Sequence, residues 1–110
     1  MLTAFRYSKA MVYDPGALSA SLSAAVGSDP ALVAELRLAF LESAARQVDL
    51  MSHSRCDANW LLASSRLKSL AASFGAVGML QLADEAIDGA PGDPVVLRKL
   101  NHALEDFAGS

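Results

Sequence analysis

The stretch Ser64-Ser65-Arg66-Leu67-Lys68-Ser69-Leu70-Ala71-Ala72-Ser73-Phe74-Gly75-Ala76 decides how the chain folds, because one helix drawn through it has two faces of different chemistry. At about 100° per residue, Leu67, Leu70, Ala71 and Phe74 lie on one side. Leu61, Ser65, Lys68, Ser69 and Ala72 gather on the other. The first face predicts burial. The second is narrow, made of small side chains with one lysine, and is the candidate surface for function.

Around this stretch, the spacing predicts helices throughout. Trp60, Ala63, Leu67, Leu70 and Phe74 form its inward stripe, with Asp57 as the expected N-cap and Gly75 as the stop. Upstream, Asp29-Pro30 opens the longest helix, with Val33, Leu36, Phe40, Ala44, Val48 and Met51 at intervals of three and four and an end near Met51 or His53. Glu42 and Arg46 on another face make an expected i, i+4 pair worth ~0.3 kcal/mol. Before it, Asp14-Pro15 starts a helix with Leu18, Leu22 and Val26 as its stripe and Gly27 as its end. Residues 1–13 read as a short arm or partial helix.

Downstream of Gly75, the positions Val77, Leu80, Ala83 and Ile87 recur at helical spacing up to Gly89. After the loop Ala90-Pro91-Gly92, Asp93-Pro94 starts a last helix with Leu97, Leu100, Leu104 and Phe107 facing inward. No segment alternates with period two for long enough to be a strand. The expected fold is an all-α, antiparallel four-helix bundle over residues 14–110, with the additional short N-terminal segment 1–13.

Composition sets the class. With 110 residues, 53% of them hydrophobic and 19% charged, the chain suffices for one domain with a real core. The net charge of −3 provides no cationic field for a phosphate backbone, so nucleic acid is not an expected partner. Cys56 is the single cysteine, which rules out an internal disulfide and fits a reducing cytosol. Neither a secretion signal nor a membrane span is legible in the chain, and the expected location is cytoplasmic.

Catalytic patterns are sparse. His53, Cys56 and Asp57 fall around one turn, but a structural zinc site wants four ligands and no second pair exists. Asp84, Glu85 and Asp88 read as a solvated acidic face rather than paired catalytic carboxylates. Gly75-Ala76-Val77-Gly78 lacks the strand and lysine of a phosphate loop, and Ser65 has no base in sequence reach. No metal or cofactor is expected, and no enzymatic activity.

The opening stretch resembles the active helix of histidine phosphotransfer (HPt) domains, whose motif is approximately Ala-His-x-Leu-Lys-Gly-Ser-Ala-x-x-x-Gly-Ala. Leu67, Lys68, Ala71, Gly75 and Ala76 match it. Asp14-Pro15, Asp29-Pro30 with Leu38-Ala39-Phe40-Leu41-Glu42, and Leu80 to Ile87 extend the likeness from about residue 12 onward. The family's phosphoacceptor histidine falls on Ser65, its next glycine on Ser69 and the following serine on Leu70. A serine phosphoester is a poor donor for exchange with an aspartyl phosphate, so the resemblance implies a pseudo-HPt module that has lost phosphotransfer. It also implies docking to a response-regulator receiver domain or a sensor histidine kinase through Leu61, Ser65, Lys68, Ser69 and Ala72, with Lys68 facing an acidic partner. Two other readings remain open: phosphotransfer through His53 or His102, and a structural or dimerising helical module.

Overall fold

The computed structural model describes residues 29–109. The expected arm 1–13 and the expected helix after Asp14-Pro15 lie outside the described residues, which hold four helices and no strand: α1 (Pro30–Ser52), α2 (Asp57–Phe74), α3 (Val77–Asp88) and α4 (Pro94–Ala108). Each helix packs against two others, α1 on α2 and α4, and α3 on α2 and α4, so the contacts close a cycle. One apolar core sits inside it.

The starts follow local chemistry. Asp29 accepts from the backbone N–H groups of Ala31 and Leu32 at 3.1 and 3.3 Å, and Asp93 accepts from Val95 at 2.9 Å. Each precedes a proline that has no N–H to satisfy. Asp57 behaves differently from expectation. Cys56 takes the extended N-cap backbone, with no side-chain cap hydrogen bond, and Asp57 lies one residue inside, in the first turn. From there its carboxylate favours the helix dipole without filling the cap. Gly75 ends α2 in the left-handed conformation at φ 70°, which a side chain would resist, and its N–H bonds the end of the helix.

Phe40, Ala44, Val48 and Met51 are buried on α1, while Val33 and Leu36 are only half-buried. On α2, Trp60, Ala63, Ser64, Leu67 and Ala71 face the core, flanked by half-buried Leu70 and Phe74. The inward faces of the last two helices keep Ala83, Leu100 and Phe107 from the expected stripes and are otherwise shifted. Met79, Leu82, Ala83 and Ala86 are buried on α3, and Val96, Leu100, Ala103 and Phe107 on α4. Leu80, Leu97 and Leu104 pack against the core from its margin. Alanines hold central positions because a small side chain admits a closely packed neighbour, and the longer leucines reach in from the flanks.

Two groups of contacts fix the helices. Phe40 meets Phe74 at a ring separation of 5.3 Å and Phe107 edge-on at 6.4 Å, joining α1, α2 and α4. Beside them, the Arg37 guanidinium donates to the Phe107 carbonyl in the last turn of α4. The fully buried Trp60 donates its indole N–H to the Ala86 carbonyl at 2.9 Å. Ala86 lies in the last turn of α3, where helices leave carbonyls unbonded, so one contact satisfies a buried donor and an orphan acceptor. The Ser64 hydroxyl is the opposite case: it is 0% exposed and has no hydrogen-bond partner. The Glu42–Arg46 pair expected from spacing does not form among the described residues.

Two stability predictions follow from these buried polar groups. Trp60→Phe leaves the Ala86 carbonyl without its donor and removes buried volume, so urea unfolding should show a loss of about 2–4 kcal/mol. Ser64→Ala removes an unpaired hydroxyl at almost no cost in volume and should gain about 1 kcal/mol in the same measurement. A destabilised Ser64→Ala protein would mean that the hydroxyl has a partner.

Candidate functional site

Trp60, Ala63, Leu67 and Ala71 set the rotational phase of α2, and that phase turns Leu61, Ser65, Lys68, Ser69 and Ala72 outward. All five are exposed, so the helix brings the expected face together on one surface. The middle of this face is low. Ser65, Ser69 and Ala72 have short side chains, and Leu61, 41% exposed, is its largest apolar group.

Lys68 is not a free cation. Its Nζ lies 2.7 Å from Asp84 Oδ1 on α3, with both side chains about half-exposed. The hydrogen bond from Lys68 to Asp84 raises the lysine pKa above its ordinary 10.5, as does the Asp84 charge; desolvation opposes them, and the Asp88 charge adds to the rise. A second pair, Lys99 with Glu85 at 2.9 Å, joins α4 to α3. The sequence reading of Asp84, Glu85 and Asp88 as a solvated face missed these cross-helix bonds. For Lys68–Asp84 the two-residue connection Gly75-Ala76 was the available signal, because so short a link makes α2 and α3 neighbours.

His53 and His102 are both exposed and lie outside the Ser65 face. His53 caps the end of α1, where Nδ1 is 2.9 Å from the Asp49 carbonyl and 3.4 Å from its carboxylate. Cys56 is a free, exposed thiol at the start of α2. Among the described residues, no three of His, Cys, Asp and Glu are grouped so that they could hold a metal ion, and His53, Cys56 and Asp57 form no such group. No described helix is long and apolar enough to cross a membrane.

The face can offer shape, one leucine and a neutralised ion pair. No family model, curated protein or solved structure matches the chain.

The Lys68–Asp84 bond has a direct signature. A lysine whose folded pKa is raised contributes stability that is complete below the unfolded value of 10.5 and is lost as pH rises through the folded value. In an NMR titration, Lys68 should therefore keep its proton to a higher pH than an exposed lysine. Asp84→Asn should return the midpoint toward 10.5. An unchanged midpoint in that variant would remove Asp84 as the cause.

Proposed function

We propose that this chain is a pseudo-HPt module of two-component phosphorelay signalling, which docks a response-regulator receiver domain or a sensor histidine kinase and transfers no phosphate. The observation that carries this reading is Ser65. It occupies the motif's phosphoacceptor position on an exposed, low face of α2, with Lys68 nearly one turn on and Gly75 terminating the same helix. Leu67 and Ala71, matched in the motif, are buried behind it.

An antiparallel arrangement of the four helices belongs to this proposal. Two cross-helix contacts support it for α2 and α3. Lys68 pairs with Asp84, and Trp60, earlier on α2, reaches Ala86, later on α3. Residues further before the Gly75-Ala76 link thus meet residues further beyond it, as they do in a helical hairpin.

Docking uses what the face retains after losing the imidazole. Ser65, Ser69 and Ala72 permit close approach, and Leu61 supplies apolar burial worth about 1 kcal/mol or more if its exposed part is covered. Lys68 is already engaged, so an acidic group on a partner must compete with Asp84 for it. That competition places the affinity in shape and apolar contact more than in a new ion pair.

Restoration of chemistry provides the test. The wild-type protein, incubated with phosphorylated receivers and sensor kinases, should bind one of them and take up no acid-labile phosphate. Ser65→His should bind the same partner and acquire such phosphate. A well-folded Ser65→His protein that binds its receiver but accepts nothing would overturn the assignment of Ser65 to the phosphoacceptor position. Acid-labile phosphate on the wild type, abolished by His53→Ala or His102→Ala, would replace it with active phosphotransfer.

A further inference from the structure

A second surface of α2 carries different chemistry. Between the end of α1 and the first half of α2 lies an open cleft of about 290 Å³, lined by Leu50, Leu62, Ala63 and Arg66 together with the polar His53, Ser54 and Asn59. Leu50 is 46% exposed and Leu62 51%, although both are large and apolar. Ala63 is buried, which gives the cleft a shallow apolar floor.

One cation lines it and one lies near. Arg66, in the lining, follows Leu62 by one helical turn, and Arg46, outside the lining, precedes Leu50 by one turn on α1. Both arginines are exposed, and neither enters an ion pair among the described residues. The nearby acid Asp49 is accompanied by His53. Lys68, on the opposite flank of α2, is held by Asp84, so the two sides of this helix differ in what they offer a visitor.

We propose that this cleft is a docking site for an acidic, amphipathic segment of another protein. A leucine- or phenylalanine-sized side chain enters between Leu50 and Leu62, and neighbouring carboxylates meet Arg66 and Arg46. Guanidinium groups bind carboxylates with two parallel hydrogen bonds, and apolar anchors beside them supply the burial. The cleft is open rather than enclosed, and small-molecule sites bury most of their ligand, so it suits a protruding side chain better.

Charge selects among occupants. A second copy joined about a two-fold axis would bring the arginine-bearing surface against itself, which repels. Residues 1–28 of the chain carry Arg6 and Lys9 against the single acid Asp14, so they do not complement the arginines either. An acidic partner segment satisfies both the leucines and the cations.

The inference is independent of docking at Ser65, and its test reads the cleft alone. The probe is a fluorescein-labelled helical peptide with leucines spaced i, i+4 and flanked by glutamates, titrated with the full chain by fluorescence polarisation. Saturable binding is expected, weakened at least tenfold by Arg66→Glu or Leu62→Asp and by replacing the peptide's glutamates with glutamine. Arg98→Glu, an equal charge change on α4, should leave it unchanged. Circular dichroism on each variant separates lost binding from lost folding. Absence of saturable binding overturns the proposal, as does binding indifferent to both cleft variants. A dimer in sedimentation velocity that Leu62→Asp dissociates would also overturn it, by giving the cleft to a second copy.

Discussion

The buried indole of Trp60 sets the constraint on which the arrangement of α2 and α3 depends. A tryptophan gains most from burial when all of its rings leave water, but its N–H cannot be left without an acceptor there. The Ala86 carbonyl provides one at 2.9 Å, in a turn whose carbonyls the helix itself leaves unbonded. This contact ties the first turn of α2 to the end of α3. With Trp60, Leu67 and Ala71 directed inward, the exposure of Ser65, Lys68 and Ala72 follows from helical periodicity.

Beyond that constraint, the aromatic cluster acts where the indole does not reach. Phe40 contacts both Phe74 and Phe107, and Arg37 bonds the carbonyl of Phe107, so α1 is fixed to the last turns of α2 and α4. Lys68–Asp84 and Lys99–Glu85 add exposed crosslinks around α3. Their net stabilisation is small in water, but their positional effect is not: each consumes a cation that would otherwise be offered to a partner. Arg66 and Arg46 are left outside such pairs beside exposed leucines. One helix thus separates a face whose charge is satisfied internally from a cleft whose charge is not.

Much of this was legible from residue order. Asp29-Pro30 and Asp93-Pro94 announced helix starts because a carboxylate that caps and a residue without an N–H are local requirements. The start of α2 was misread by one residue, since Asp57 has the right side chain while Cys56 has the extended backbone that defines the cap. The inward faces of α3 and α4 were read in part: Ala83, Leu100 and Phe107 are buried as expected. Leu80, Leu97 and Leu104 lie at the margin instead, and the packed face is completed by Met79, Leu82, Ala86, Val96 and Ala103. How closely a neighbouring helix approaches is not encoded in the period of a single helix.

The candidate face shows the same division. The sequence by itself determined that Leu61, Ser65, Lys68, Ser69 and Ala72 share one side of a helix ending at Gly75, because spacing, helical period and a left-handed terminator are properties of adjacent residues. Only tertiary structure decided that Lys68 is held by Asp84, that Trp60 finds its acceptor on α3, and that Leu50 and Leu62 meet across a cleft with Arg66 at its edge. Those outcomes depend on which helices become neighbours and at what height. That relation is fixed by packing between segments distant in sequence, with no period along the chain to announce it.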